Sequence, residues 1–517
     1  METSRLMTKG PDVGRAGPAW RVSVAALVAL VLGAGAAPAA ADPISESDGF
    51  RKHVTVAGIR EHQSALQQIA NANGGNRATG TTGYDASVGY IADRAEAAGL
   101  DVSLDEFTYV ESFSEGSTPV LQETAPEAQT FAAGSRPAFD GDFVSFTGAG
   151  DVTAPVQGVD LVLPPAPVPN TSTSGCEQAD WAGFVPGNIA LLQRGTCPYV
   201  QKATMAQEAG ASAIIVFNEG QPGRTAVPNN LPLGAEGVHI PGVGTSFAVG
   251  VDLADPGTVA RVKTEVLEEL GESVNVIAET RRGDPNRTVV IGAHLDSVPA
   301  GPGINDNGSG SGGILEIAEV FAAQDREPRN KLRFMWYGAE EIGLVGSTKY
   351  VTDLSQEEKD DILAMLNFDM IGSPNFARFV YDGDGTIGPE GPTGSGFIED
   401  VFVDYFAGQG LFNEPTAFDG RSDYGPFIAD GIPAGGLFTG AEQPKTAAQV
   451  AQYGGIAGAQ YDPCYHVACD TFAGTGSGPG ATAPGLALVA LDQMSDAAAH
   501  TVLFFSRTKV DVRNTPN

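Results

Sequence analysis

Basic residues are scarce in this chain. Its 517 residues include 30 lysines and arginines against 63 aspartates and glutamates, which gives a formal net charge of -33 at pH 7. A protein with this charge repels phosphate backbones and anionic lipid surfaces, so nucleic acid and membranes are poor partners. The same negative field favours solubility and the retention of cations. The chain is long enough for two domains, each with its own apolar core.

Little of the chain is suited to crossing a membrane. The aliphatic run "VSVAALVALVLGAGAA" near the start follows several basic residues and precedes the small-residue pattern Ala39-x-Ala41. These features predict a secretory signal peptide over residues 1–41, cleaved after Ala41, and a secreted, extracellular protein that does not contact the membrane afterwards. The alternative is a membrane anchor, but the run is short and rich in alanine and glycine.

Cysteine is also rare, with four in the whole chain. All of them follow the predicted cleavage position, and in an exported protein disulfides are the default. Of the three pairings that four cysteines allow, proximity favours Cys176 with Cys197 and Cys464 with Cys469. The alternative is one zinc ion held by all four thiolates, although the spacings fall outside the short-loop pattern of such sites.

Changes in amino-acid composition and pattern divide the remainder of the chain into segments. Residues 42–138 and 269–508 have the patterns of one α/β domain, and residues 509–517 form a short tail. Between them, residues 139–268 are rich in Gly, Pro, Val and Ala. In the first part, apolar periodicity predicts a helix from Phe50 to Ala72.

The segment 139–268 has the pattern of a β-rich insert. Within it we predict a strand from Ile189 to Gln193, a helix from Tyr199 to Ala209 and a strand from Ala213 to Asn218. This succession, with its Arg-Gly-x-Cys turn, resembles the protease-associated (PA) domain. The resemblance implies a small module placed on the surface of the first domain.

Polar side chains follow three apolar strands at the point where each strand ends. His294 follows the run Thr288–Ala293, Glu340 and Glu341 follow "RFMWYGA", and Asp369 follows "ILAMLNF". In open α/β sheets ligands bind outside the carboxyl ends of the strands, so these side chains should meet in one crevice. A site of His, Asp and Glu at such a place indicates a metal centre.

Two loops add further candidate ligands. Asp306 lies in the Gly-rich loop "GINDNGSGSGG" before an amphipathic helix, where it is either a ligand or an ordinary helix-capping aspartate. His466 lies in "DPCYHVACD" between two cysteines, where the alternative is a surface histidine in a turn. His53, His62 and His500 fall in helical patterns and are interpreted as solvent-facing or packing residues.

The motifs taken together resemble the secreted aminopeptidases with two co-catalytic zinc ions, of the bacterial leucyl and yeast vacuolar type. The resemblance runs in order through "NRATGTTGYD", "GAHLDSV", "GINDNGSG", "YGAEEIGLVGS", "NFDMIGSPN", "GRSDYGPF" and "CYHVACD". It therefore covers nearly all of the chain after the signal peptide. It implies an α/β fold: a mixed-sheet zinc exopeptidase sandwich with an inserted β-rich PA domain.

The resemblance also implies a ligand set for two Zn²⁺ ions per chain. One ion would be held by His294 and Asp369, and the other by Glu341 and His466. Asp306 would bridge the two. Each ion then has three protein ligands and an open position, as a catalytic zinc requires. The resemblance leaves open whether a calcium ion adds stability.

Four further residues take roles by the same resemblance. Glu340 would be the general base, and Asp296 would orient His294 from behind. Tyr465 would hydrogen-bond the developing oxyanion, and Arg421 would lie near the substrate backbone, with a surface ion pair to a nearby aspartate as its alternative. The family often has a cis peptide after the bridging carboxylate, here Asp306–Asn307.

The resemblance implies a monomeric aminopeptidase that acts on peptides and proteins with free N-termini and prefers bulky apolar N-terminal residues. The free α-amine would lie against Glu340 and Asp369, and a blocked terminus would leave these carboxylates unpaired. The alternatives are a carboxypeptidase or glutaminyl cyclase of the same fold, and a non-catalytic, receptor-like binding protein. A carboxypeptidase needs a basic cluster, and only Arg421 lies near the motifs. Receptor-like relatives lose ligands that this chain retains.

Overall fold

The centre of the fold is formed by the three apolar strands that precede the candidate ligands. The computed structural model describes residues 43–517 except 137, 168–170, 230, 233, 236 and 475–484. The predicted signal peptide, residues 1–41, lies outside the described residues.

The helices of the described residues are α1 (Pro43–Arg51), α2 (Val56–Ala72), α3 (Thr82–Ala98), α4 (Tyr199–Glu208), α5 (Phe247–Leu253), α6 (Gly308–Ala323), α7 (Val345–Asp353), α8 (Gln356–Asp361), α9 (Ser395–Gly408), α10 (Tyr424–Ala429), α11 (Ala447–Tyr453) and α12 (Leu486–Arg507). The strands are β1 (Asp101–Glu115), β2 (Val120–Ala125), β3 (Gln129–Thr130), β4 (Phe143–Thr147), β5 (Ala149–Gly158), β6 (Ile189–Gln193), β7 (Ala213–Phe217), β8 (Gly242–Thr245), β9 (Val259–Glu279), β10 (Asp284–His294), β11 (Asn330–Tyr337), β12 (Ile362–Phe368), β13 (Phe379–Tyr381), β14 (Glu414–Thr416) and β15 (Ala434–Phe438).

The helix predicted from Phe50 to Ala72 is wrong, because the structure has two helices there. α1 ends at Arg51 and α2 begins at Val56. Between them Thr55 is extended, and its hydroxyl accepts a hydrogen bond from the Gly58 N–H, which caps α2. The Thr55 N–H donates to Glu316 on α6, so a distant side chain fixes the break.

The main sheet is mixed, as predicted. β10 pairs in parallel with β11 on one side and with β12 on the other. β15 is parallel to β12, whereas β9 is antiparallel to β11 and β13 is antiparallel to β15. The order along the sheet is β14-β13-β15-β12-β10-β11-β9. Because β10, β11 and β12 are adjacent and parallel, their carboxyl ends share one edge.

Helices cover both faces of this sheet. Val289 and Ile291 of β10 pack in a core that includes residues of α2, α3 and α6. Val290 points to the other face, where it shares a cluster with Met335 and Phe427. Since successive side chains of a strand alternate between two buried faces, the segment 289–293 of β10 is apolar throughout instead of alternating.

The insert contains a second group of strands in the order β5-β6-β7-β8-β4. β6, α4 and β7 agree with the predicted strand, helix and strand to within one residue. β9 joins this group to the main sheet, since its first residues pair with β2 and β5 and its later residues pair with β1 and β11. One strand therefore crosses position 268, and the division at 139 and 268 stays a prediction.

Both predicted disulfides are present. Cys176 and Cys197 are joined within the insert, and Cys464 and Cys469 are joined in the loop that carries His466. Among the described residues, every helix is too short or too polar to traverse a bilayer.

Candidate metal centre

The adjacent strands bring the predicted ligands to one edge of the sheet. His294 is the last residue of β10, and Asp369 directly follows β12. Glu340 and Glu341 follow the end of β11 by three and four residues, beyond Ala339, whose φ of 58° turns the chain. All of these side chains project into the same crevice because the three strands are parallel.

His294 faces three carboxylates. Its Nε2 lies 3.1 Å from Oδ1 of Asp306, 3.4 Å from Oδ1 of Asp369 and 4.0 Å from Oε2 of Glu340. The imidazole is buried, so these groups form a compact cluster away from bulk water.

His466 approaches the other side of Asp306. Its Nε2 lies 2.9 Å from Oε2 of Glu341 and 3.2 Å from Oδ2 of Asp306. Asp306 thus directs one carboxylate oxygen towards each histidine. The resemblance implies that Asp306 bridges two groups of ligands, and its carboxylate lies between the two histidines.

The loop of Asp306 is fastened to the loop of His466. The backbone N–H groups of Asn305 and Asp306 both donate to the carboxylate of Asp470. The Asn305 side chain donates to Asp462, which also accepts the N–H of Cys464. The Asp306–Asn307 peptide is cis, as the resemblance implies.

Asp296 lies behind His294. Its carboxylate is 3.5 Å from Nδ1 of His294, which leaves Nε2 directed at the cluster. The same carboxylate accepts the N–H groups of Glu340 and Glu341 and the hydroxyl of Thr79. Asp296 therefore fixes both the imidazole and the turn that carries the glutamate pair.

Burial or mutual contact raises the pKa values of Glu340, Glu341 and His466 in the cluster. Burial raises the pKa of Glu340 well above its usual range and that of Glu341 to about 7. Burial disfavours the imidazolium of His466, but its hydrogen bonds with Asp306 and Glu341 prevail and raise its pKa to about 10. Ligand groups of this kind release their protons when a metal ion binds.

The donor set fits a divalent metal. Oε1 of Glu341 and Oδ1 of Asp369 are buried, and neither accepts a hydrogen bond from the described residues. A buried carboxylate oxygen without a donor is costly unless a cation compensates it. Imidazole nitrogens and carboxylate oxygens are the ligands of catalytic zinc.

A cavity of about 690 Å³ opens over the cluster. Asn229 and Pro232 of the insert line one side of it. Phe379, Phe438 and Tyr461 of the peptidase part are among the residues that line the rest. This volume is typical of a pocket for a small ligand, and the three side chains give part of its wall an aromatic surface.

Tyr465 and Arg421 lie together at the rim. The Tyr465 ring stacks on His466 with ring centres 3.8 Å apart. Its hydroxyl accepts a hydrogen bond from Nη2 of Arg421 at 3.0 Å. Nη1 of Arg421 pairs with Glu442 at 2.9 Å, in place of the ion pair with a neighbouring aspartate that was considered as its alternative.

The sequence reasoning missed Asp423, Asp470 and Arg77. Asp423 is fully buried beside the cluster, and burial raises its pKa to about 7. Arg77 is also fully buried and donates to the carbonyls of Leu295, Pro302 and Gly303 in the loops around the site. Asp423 and Arg77 lie in the segments "GRSDY" and "NRATG", and this position in the motifs is the sequence signal that could have identified them.

Comparisons with known proteins identify the family of this chain. Residues 275–478 match the model of Peptidase family M28, and residues 157–253 match that of the PA domain, inside the predicted insert 139–268. An aminopeptidase of Pseudomonas aeruginosa is 46% identical over 434 residues, which cover 83% of this chain and 79% of that protein. Leucine aminopeptidase 2 of Trichophyton rubrum is 38% identical over 448 residues, which cover 84% and 83%.

A third relative is a probable lipoprotein aminopeptidase of Mycobacterium tuberculosis, 39% identical over 434 residues, which cover 82% of this chain and 81% of that protein. Among solved structures, the aminopeptidase of Aneurinibacillus sp. strain AM-1 has the same fold, with a TM-score of 0.51 at 24% identity over 91% of this chain and 98% of that one. The extent of these similarities shows that the chain belongs to peptidase family M28 and is an aminopeptidase.

Proposed function

We propose that this protein is a secreted metallo-aminopeptidase that uses two zinc ions to hydrolyse the N-terminal bond of peptides and proteins. The observation that carries the proposal is the position of Asp306, whose two carboxylate oxygens face His294 and His466. A carboxylate shared in this way is suited to bridging two metal ions.

The ligands divide into two sets around Asp306. His294 and Asp369 would hold one ion, and Glu341 and His466 would hold the other. With zinc bound, the centre supplies a water of lowered pKa and polarises the carbonyl of the scissile bond. Asp296 keeps Nε2 of His294 directed at its ion.

Glu340 would move the proton during the reaction. It lies beside His294 at 4.0 Å, farther than Asp306 and Asp369, so it is the carboxylate of this group with the least direct part in metal binding. It takes a proton from the attacking water and delivers it to the leaving amine. The Tyr465 hydroxyl would donate a hydrogen bond to the developing oxyanion, while Arg421 holds the phenol oxygen in place.

The substrate's charged N-terminus accounts for exopeptidase action. Glu340 and Asp369 both line the cavity, where a free α-amine would pair with them. An acetylated terminus would leave both carboxylates without a partner. Arg421 is already paired with Glu442, which disfavours a carboxypeptidase that must bind a terminal carboxylate.

We also propose a preference for bulky apolar N-terminal residues. The aromatic side chains of Phe379, Phe438 and Tyr461 in the cavity wall support it. The relative from Trichophyton rubrum is a leucine aminopeptidase, which supports the same preference.

Secretion and domain division belong to the same proposal. Two disulfides are typical of exported proteins, which supports removal of residues 1–41. Residues 42–138 and 269–508 would then form the peptidase domain around the insert 139–268, with a tail at 509–517.

Metal analysis combined with anilide hydrolysis tests the function. We expect about two zinc ions per purified chain, loss of activity with 1,10-phenanthroline, and recovery on adding zinc. Leucine anilide should be cleaved faster than lysine or aspartate anilide, and N-acetyl-leucine anilide should be inert. Full activity in metal-free protein would rule out the hydrolytic model.

A further inference from the structure

A second group of potential metal ligands lies between α2 and α6, apart from the catalytic centre. We call His62 of α2 together with Glu316 and Glu319 of α6 the helix-interface cluster. His62 is fully buried and Glu316 nearly so, while Glu319 is partly open to solvent. The cluster is thus closed on the protein side and accessible to an ion on the other.

The imidazole of His62 is aimed into this cluster. Its Nδ1 lies 2.8 Å from the hydroxyl of Tyr90, whereas Nε2 has no hydrogen-bond partner among the described residues. Nε2 lies 3.7 Å from Oε2 of Glu316 and 4.0 Å from Oε2 of Glu319. These distances are too long for hydrogen bonds.

The same distances suit a shared ion. Two ligand atoms that each lie about 2.1 Å from one cation are roughly 3.4–4 Å apart when the ligand–metal–ligand angle is about 110–145°. If His62 donates Nδ1–H to Tyr90, the lone pair of Nε2 is free for a metal, and the hydroxyl fixes the ring as metal-bound histidines require.

We propose that the helix-interface cluster binds a third divalent transition-metal ion, with zinc as the best fit. One imidazole and two carboxylates are a zinc ligand set, and solvent on the Glu319 side supplies the remaining position. Glu316 is eight residues after the start of α6 at Gly308, so the ion lies about 12 Å along the helix from the loop of Asp306.

The surrounding groups orient the carboxylates of Glu316 and Glu319 and influence the affinity of the cluster for a metal ion. Oε1 of Glu316 accepts the Thr55 N–H at 3.1 Å, which leaves Oε2 towards His62. Arg94 binds Glu319 through both oxygens, at 2.6 and 2.8 Å, and also contacts Glu61. The guanidinium holds Glu319 in place, but its positive charge weakens cation binding at this site.

The ion would have a structural role. α2 supports the loop that carries Asp306, since Gln63 donates to the carbonyl of Ile304 at 2.9 Å. A metal ion that joins α2 to α6 would stabilise the position of this loop, although the ion itself would not contact the substrate. The competing explanation is that His62 is protonated and forms an ion pair with Glu316 without any metal.

Zinc stoichiometry separates the two explanations. Wild type, His62→Gln, Glu316→Gln and the exposed control His53→Gln are dialysed against buffered micromolar zinc and analysed by mass spectrometry for metal. Wild type and His53→Gln should hold about one zinc more per chain than the other two variants, while leucine anilide hydrolysis stays within about twofold in all. Equal zinc contents in all four proteins overturn the proposal.

Two further measurements keep the test independent of folding and of the catalytic ions. Crystals of wild type soaked in zinc should show an anomalous peak about 2 Å from Nε2 of His62, and a map without that peak overturns the site. Arg94→Gln should bind the additional zinc about tenfold more tightly. An unchanged affinity would remove Glu319 from the ligands and overturn the three-ligand site. Two catalytic zinc ions without a third would leave the proposed function intact.

Discussion

At the turn after β11, Glu340 and Glu341 are adjacent in sequence but face different histidines. Oε2 of Glu341 is 2.9 Å from His466, whereas Oε2 of Glu340 is 4.0 Å from His294. We therefore expect Glu340→Gln to retain both zinc ions and to lose about 10²-fold or more in kcat, because only proton transfer is removed. Glu341→Gln should lose one zinc ion on dialysis, because a ligand is removed.

Metal content after dialysis, measured beside kcat, decides between these roles. Glu340→Asp is a matched control, since this substitution keeps the negative charge but shortens the side chain of the base. If Glu340→Gln loses zinc while Glu341→Gln keeps both ions, the assignment is reversed by one residue.

Residues at strand ends were predictable from the sequence, whereas their supports were not. His294, Glu341 and Asp369 follow apolar strands, so topology alone placed them in one crevice. Asp470 holds the Asp306 loop across a separation of 164 residues, and no local pattern reveals such a pairing. The helical pattern around His62 indicates a packing or solvent-facing histidine, and it cannot reveal Glu316 and Glu319, which lie on another helix.

At the scale of elements, α4 of the insert carries a buried lysine. Lys202 is fully buried and donates to the Ser174 carbonyl beside the Cys176–Cys197 disulfide. Burial lowers its pKa to about 7, below the 10.5 of an exposed lysine. As pH falls from above 10.5, the unfolded chain takes up the proton first. The folded state is therefore destabilised progressively down to about pH 7, below which both states are protonated.

Replacing Lys202 with methionine should stabilise the insert for this reason. We expect Lys202→Met to gain roughly 1–4 kcal/mol at neutral pH, the range seen when buried charges give way to apolar side chains of similar volume. The gain should be smaller near pH 10. Urea denaturation at both pH values measures it, with Lys52→Met, an exposed lysine, as the control. A gain that does not depend on pH would contradict the assigned cause.

Elements defined by local pattern were predicted well, and those defined by distant partners were not. β6, α4 and β7 have the expected bounds because their apolar runs and turn residues are contiguous. The break before α2 depends on Glu316, which binds the Thr55 N–H from 261 residues away. The continuity of β9 depends on β1, β2, β5 and β11, which are remote in sequence, so periodicity within the strand could not reveal it.

For the whole molecule, the insert and the peptidase part share the cavity over the candidate metal centre. Asn229 and Pro232 of the insert line it beside the candidate ligands. The insert also packs close to the loop of Arg421, since the Thr196 carbonyl lies where a side chain at Gly420 would be. Gly420 has a φ of 72° and leaves no room for a Cβ, so this contact requires glycine. These contacts support an insert that limits the size of the substrate at the cavity mouth.

The net charge of -33 gives a prediction for the whole molecule. Excess negative charge repels itself in the compact state, and salt screens it, with a Debye length of about 10 Å at 0.1 M. Surface ion pairs such as Arg261–Asp151 act in the opposite direction, since salt weakens them, but each contributes only about 0–1 kcal/mol. The unpaired acidic excess should therefore dominate.

We expect the midpoint of thermal unfolding to rise between low salt and physiological ionic strength at pH 8, with zinc held constant. The rise should shrink near pH 5, because the chain approaches its isoelectric point of about 4.4 and the carboxylates begin to take up protons. Differential scanning calorimetry in sodium chloride measures both conditions, and an uncharged osmolyte of equal osmolality serves as the control. A midpoint that falls with salt at pH 8 would mean that specific ion pairs outweigh the general repulsion. The acidic side chains would then stabilise the folded state through ion pairs instead of destabilising it through repulsion.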